Sequence, residues 1–548
     1  MQRIPDNKID KMKTVTKSTL SELFLIGLFV ALFSCSTKNN REYHVWENWE
    51  TKLKSARTYD NPYKDIELTV KFSGPRNETF TSPGFWNGES VFIVRSAFPA
   101  AGKWLWKTSC SDTLNTDLHN QSGEVIVEPY NGGNPLYKNG FLRVSNNKRY
   151  LTYHNMEPFL WVGGTAWIAP LRASFEDWKI YIDDCADKKF SVVQISPASS
   201  WGGDSVDING NPPFLDKDRN KWNPAYWDGF DQKVQYANEK GIVVFIVGLM
   251  EPVERYPSEE SASIFARNLA ARMSGNFVVL SPSFDSRFME LGNTVGNVLN
   301  NVTSRHLITQ HPGTPSRSLI HIIADRYYNE DYLDFSMCQS GHNRGNRNWC
   351  VWQAVHWNLD LYNRGEKPVI NGEAYYEADT IDLGKGPAYR GTASDARQLG
   401  YMSFLSGSLG YTYGALGLWN WETDSTKGSY WKKAMQYPGA MQMQYMSEFF
   451  DDIDWWKLEP KHNLILNQRS DTLSVMTLAK SPGNDLLVAY LPKTDTIQIN
   501  LDDFSFPTKV IWFDPIANKY IAQGIRTRKD ENEFIAPGLS ESILLLKK

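Results

Sequence analysis

Hydrophobic and polar positions change rhythm twice along this chain, and the changes divide it into three folded regions. Between residues 43 and 146 the apolar positions come in short runs rich in β-branched and aromatic side chains, such as Val91–Val94, Lys103–Lys107 and Gly123–Glu128. Pro99 and Gly102 punctuate these runs and no helical period intervenes, which predicts an N-terminal β-sandwich.

From 147 to 455 apolar strands alternate with amphipathic helices. The predicted strands are Pro158–Gly163, Ser191–Ser196, Ile242–Val247, Phe277–Leu280, His306–Thr309, Asp334–Met337, Lys367–Asn371 and Gly410–Tyr413. Asn223 and Pro224 open a helix whose buried face is Trp227, Phe230, Val234 and Ala237, and Gly241 closes it. Ser258 opens another, with Phe265, Leu269 and Met273 on one face and Gly275 at its end. Eight strands in about 270 residues match a (β/α)8 TIM barrel. A doubly wound sheet would share the alternation, but no glycine-rich phosphate loop follows any strand. Short strands return from 456 to 548, including Thr472–Thr477, Asp485–Tyr490 and Lys509–Phe513, and predict a C-terminal β-sandwich. The expected fold is therefore multidomain, a central (β/α)8 barrel between two β-sandwiches.

Residues 1–35 read as a secretion signal. Lys11 and Lys13 precede the apolar run Leu23–Phe33, which is short for a membrane span, and Cys35 follows where a lipobox would place its acylated cysteine. The expectation is a lipoprotein anchored through Cys35 in the cell envelope of a Gram-negative bacterium, in the periplasm or at the outer membrane. Cys110, Cys185, Cys338 and Cys350 are too scattered for a disulfide framework or a zinc site.

Composition narrows the chemistry. A formal charge of −4 argues against a nucleic-acid partner. The 20 Trp and 26 Tyr suit either a well-filled core or flat rings stacked on sugars. In a (β/α)8 barrel the active site forms at the C-terminal ends of the strands. Residues just beyond the predicted strands are Thr165 and Trp167, Trp201 and Asp204, Glu251, Asp285, His311, Gln339 and His342, Glu373, and Trp419 and Trp421. Glycoside cleavage needs two carboxyl groups flanking the anomeric carbon, ~5 Å apart when configuration is retained. Asp285 and Glu373, after strands four and seven, are the pair expected across the barrel mouth, with Glu251 in reserve. Trp167, Trp201, Glu251, His311, Gln339, His342, Tyr375 and Trp419 are expected substrate-binding residues. Among them Trp419 is the candidate sugar platform, His311 and His342 the candidate hydroxyl binders, and Tyr375 a candidate support for the Glu373 carboxylate. No cofactor is expected and no metal, since Gly163–Trp167 stands where metal-dependent barrels place a His-x-His pair.

Four segments, Phe159–Trp167, Gln310–Pro312, Gln339–His342 and Asn371–Glu377, resemble the apiosidase-like glycosidases, glycoside hydrolase family 140 and its relatives. Phe85-Trp86, Pro99–Trp104 and Val510–Pro515 resemble the β-sandwiches flanking such barrels. The resemblance implies a retaining glycoside hydrolase acting on a poly- or oligosaccharide, with Glu373 as nucleophile and Asp285 as acid/base. One departure stands out: the family presents its strand-four acid after small glycines, whereas Leu280–Phe284 precedes Asp285 here. The alternative is a surface glycan-binding lipoprotein without catalysis, which would have no use for opposed carboxylates.

Overall fold

Eight short parallel strands between Trp161 and Tyr413 carry the centre of the molecule, seen in a computed structural model. It describes residues 42–199, 206–248, 256–282, 284–285, 290–313, 328–341, 347–381 and 389–548. The strands are β1 (Trp161–Thr165), β2 (Val192–Ile195), β3 (Val243–Val247), β4 (Val278–Ser281), β5 (Leu307–Ile308), β6 (Ser336–Gln339), β7 (Val369–Glu373) and β8 (Ser408–Tyr413). They form one sheet in the order β5-β4-β3-β2-β1-β8-β7-β6. All eight are buried along their length, because helices cover the outer face while side chains fill the inner one. The Trp161 ring meets Phe245 at 5.7 Å and Phe335 at 6.0 Å, and its N–H donates to Thr412. Residues from β1, β3, β8 and the approach to β6 thus touch inside a strongly curled sheet.

The two ends of the curl also touch. Asp334 N–H donates to Ile308 O at 2.9 Å, the Asp334 carboxylate accepts from Ile308 N–H at 2.7 Å, and Thr309 Oγ1 donates to Phe335 O.

The helical signals sit where the sequence places them. Asn223 accepts from Ala225 N–H to cap Pro224–Glu239, and Gly241 follows in the left-handed region at φ 81°, which glycine adopts without strain. Ser258 and Ser261 form a reciprocal capping box on Glu259–Met273. Between β6 and β7 a π-helical turn, Gln353–Trp357, interrupts the helix.

Two expected strands are corrected. Pro158–Phe159 pairs antiparallel with Leu151–Thr152, outside the parallel sheet, so β1 begins only at Trp161. Thr472–Ser474 is a 3₁₀ turn, because the Asp471 carboxylate accepts from Leu473 N–H and Ser474 O–H; the strand starts at Thr477.

Flanking sheets lie before and after. The first is seven-stranded and nearly closed, since its edge strands Tyr43–His44 and Trp49–Lys54 are neighbours in sequence. Thr79–Trp86 pairs with Leu68–Ser73 through its first half and Val91–Ser96 through its last. The second is a six-stranded sheet with a separate two-stranded ribbon, Thr496–Gln498 and Glu533–Ile535. Buried ion pairs tie both to the centre: Arg95 and Arg272 converge on Asp231, and Arg397 pairs with Glu541. Among the described residues no helix is long and apolar enough to cross a membrane.

Candidate active site

Glu373 is the last residue of β7 and is delivered into the interior by the strand itself; its side chain is only 4% exposed. Its register partner is Gln339, at a bulge in the β6 ladder after Cys338. The bulge re-aims the Gln339 amide, which donates to Glu373 Oε2 at 2.6 Å. The other oxygen, Oε1, accepts from the Tyr376 hydroxyl at 2.5 Å, and Trp167 N–H donates to that hydroxyl at 2.8 Å. Burial and the neighbouring Glu373 charge push the Tyr376 pKa far up, so the phenol stays a donor. Two neutral donors therefore hold one buried carboxylate in a fixed plane.

Asp285 lies four residues beyond β4 and is 38% exposed at its side chain. Its backbone is left-handed, φ 47°. Aspartate tolerates this conformation better than most residues, and such geometry concentrates at functional sites. One oxygen of Asp285 and one of Glu373 come within 4.8 Å of each other.

His311, wholly buried, sits between them. Nε2 is 2.9 Å from Glu373 Oε2 and Nδ1 is 3.5 Å from Asp285 Oδ1, though neither ring nitrogen is angled for a hydrogen bond. The imidazole stacks on Phe284 at 5.0 Å, with planes 6° apart, and meets the Trp167 ring edge-on. Its main chain is pinned too, N–H donating to Ser281 Oγ. Burial pulls its pKa down, but the two carboxylates outweigh this and hold it at about 9.

Asp285, His311 and Glu373 have the spacing of a cation-binding set. The donors argue otherwise: both Glu373 oxygens already accept from neutral donors, and a cation would have to displace the imidazolium charge that the carboxylates favour.

The structure thus brings together Asp285, Glu373, His311, Gln339 and Trp167 from among the expected residues. It corrects the role of one: the phenol supporting Glu373 belongs to Tyr376, not Tyr375. Tyr375 is buried with its hydroxyl unpartnered among the described residues. His311 and Gln339 face Glu373 rather than open solvent, so both serve the carboxylates before any hydroxyl. Trp419 is half-buried, with its N–H donating to Asp379 at 3.0 Å and its ring 6.5 Å from Tyr376. Trp421 is stacked on Trp431 and fully buried, a packing residue. Thr165 accepts from Gln194. Trp201, Asp204, Glu251, His342 and Cys35 lie outside the described residues. Tyr376 was missed because two adjacent tyrosines follow Glu373, and only the turn after β7 decides which one folds back.

Two carboxyl groups brought together at the C-terminal end of a curled parallel sheet are what a glycoside hydrolase needs. Sequence comparison agrees: residues 145–457 match the family described as "Apiosidase-like, catalytic domain", and the chain belongs to that family. Residues 42–111 match a domain of unknown function, and 460–546 match a "Putative collagen-binding domain of a collagenase". No curated protein matches by sequence. Among solved structures, a family 5 glycoside hydrolase from Bacteroides vulgatus is 24% identical, with TM-score 0.65 over 75% of this chain and 94% of that one. A second glycoside hydrolase is 23% identical, with TM-score 0.65 over 75% and 98%. A "putative glycoside hydrolase" from Bacteroides vulgatus is 16% identical, with TM-score 0.71 over 92% of this chain and 99% of that one.

Proposed function

We propose that the protein hydrolyses a poly- or oligosaccharide by double displacement, with Glu373 as nucleophile and Asp285 as acid/base. The observation that carries this reading is the separation of the two acids, within 4.8 Å at their closest ligand atoms. A closest approach this short suits a covalent intermediate better than the wider carboxyl spacing of inversion. Their surroundings suit the division of labour: Glu373 is buried and fixed by Gln339 and Tyr376, while Asp285 is open to leaving group and water. The anomeric carbon bonds to Glu373 as Asp285 protonates the departing oxygen; Asp285 then takes a proton from the water that releases the sugar.

The rest of the reading follows the same family. The curled sheet is taken as a closed (β/α)8 barrel and its flanks as β-sandwiches. The substrate is taken as a plant cell-wall or other complex glycan bearing furanose or deoxy sugars, apiose included. The protein is placed in the envelope of a Gram-negative bacterium, anchored through Cys35; loss of palmitate labelling in Cys35→Ala tests the anchor.

The decisive test is a plant and microbial glycan panel with wild type, Glu373→Gln and Asp285→Asn, following the first-formed anomer by NMR. Retention, with both variants slowed by roughly 10³-fold, is expected. An inverted first product ends the double-displacement reading, and unchanged activity in both variants ends the assignment. Glycan binding without turnover in wild type favours a binding protein.

A further inference from the structure

His311 touches both acids and nothing in the two-carboxylate scheme uses it. It has no exposed surface, so it does not meet solvent directly. The titratable groups facing it are Asp285 from beyond β4, Glu373 from β7 and, across the other Glu373 oxygen, Tyr376. Phe284 and Trp167 close its remaining sides with apolar rings. Among the described residues the two carboxylates are the proton acceptors that its ring nitrogens face.

We propose that His311 is a positioning residue that passes one proton to and from Asp285 through Nδ1 while keeping its Nε2–H toward Glu373. The proposal rests on the double-displacement reading. It is supported by the imidazole's preference for the charged form between two carboxylates, at about 9. The direction of transfer follows from the neighbours. Glu373 already accepts from Gln339 and Tyr376, interactions that favour its ionised form. Asp285 Oδ1 is buried and has no hydrogen-bond partner among the described residues.

The steps balance. At rest the mobile proton is on His311, as an imidazolium. When a sugar covers Asp285, the carboxylate loses solvation, closes the 3.5 Å gap to Nδ1 into a hydrogen bond and takes its proton, leaving neutral Nε2–H imidazole and a carboxylic acid. Asp285 gives that proton to the glycosidic oxygen as the C1–O bond breaks and the C1–Oε bond to Glu373 forms. Water then attacks C1, the ester bond to Glu373 breaks, and the water proton passes to Asp285 and back to His311 Nδ1.

The test needs no known sugar. The protein has nine histidines; His311→Gln identifies the His311 signals in ¹⁵N-histidine NMR spectra of the full chain. Expected is an imidazolium at pH 7 whose midpoint falls by about 1 to 3 pH units in Asp285→Asn and again in Glu373→Gln. A neutral His311 at pH 7, or one indifferent to Asp285→Asn, overturns the proposal. On the panel glycan that wild type cleaves, His311→Gln should move the alkaline limb of kcat to lower pH. A fall in kcat that leaves the limb in place means a merely structural residue and also overturns it. Failure of the underlying reading would show separately, as hydrolysis that survives Glu373→Gln.

Discussion

The Tyr376 hydroxyl reaches back three residues to Glu373 Oε1 at 2.5 Å while accepting from the Trp167 indole. This phenol is the hinge between β7 and the loop after β1: it fixes the carboxylate plane and ties down a ring that also borders His311.

Tyr376→Phe should therefore cut turnover more than it cuts stability. A hydrogen bond to a charged group contributes about 1.5–3 kcal/mol, which predicts a fall in kcat of roughly 10- to 150-fold. The check is kcat at saturating glycan beside a thermal melt. A variant that keeps wild-type kcat would show that the phenol does not orient the nucleophile.

Trp419 presents an indole at the rim, its tilt set by the bond to Asp379. Trp419→Ala should lower kcat/KM by roughly 10- to 100-fold, since ring stacking and apolar contact contribute about 1–3 kcal/mol. Asp379→Asn can still accept from the indole and should cost less than tenfold. Equal losses in the two variants, or none in Trp419→Ala, would remove the platform role.

Asp334 makes stability depend on pH at the seam between β5 and β6. Burial raises its pKa from 3.8 to about 6, against the opposing backbone bond from Ile308 and the Lys367 charge. The folded state binds this proton more tightly than the unfolded one, so the contribution is complete below about pH 4 and is lost as pH rises through 6. Asp334→Asn keeps an acceptor for Ile308 N–H and removes the titration. It should match wild type at pH 4 and exceed it at pH 8 by up to about 3 kcal/mol. Urea unfolding at both pH values decides; a difference that does not change with pH contradicts the argument.

Asp231 holds the first flanking sheet to the helices of the central domain by answering both Arg95 and Arg272. Asp231→Ala leaves two buried guanidiniums without that partner, and breaking such a pair costs about 3–5 kcal/mol. A melting temperature within a degree or two of wild type would show that Glu50, Asp228 and Asn87 compensate.

Much of this architecture could be read in advance because buried parallel strands must be apolar on both faces. Val243–Val247 announces itself as such a run and Val192–Ile195 does so apart from Gln194, and their helices carry explicit caps at Asn223 and Ser258. The juxtaposition of Asp285 and Glu373 could be expected because both follow the C-terminal ends of strands in one parallel sheet. What periodicity does not encode is the fine direction of side chains after a strand stops. The bulge at Cys338/Gln339 turns Gln339 onto Glu373, and the turn past Glu373 picks Tyr376 over Tyr375. His311 reads in sequence as either a hydroxyl binder or a packed histidine; only tertiary packing reveals that Phe284 and Trp167 enclose it. The misplaced start of β1 has a similar origin, since Pro158–Trp161 is uniformly apolar although its first half pairs antiparallel with Leu151–Thr152.

The unequal exposure of the two acids has a consequence for traffic through the pocket. Asp285 is the acid open to solvent, with 38% of its side chain exposed against 4% for Glu373. An alcohol that intercepts the enzyme-bound sugar in place of water would approach from that same side. The shape of that doorway, more than the chemistry behind it, would then decide whether the enzyme only takes glycans apart or can also stitch them together.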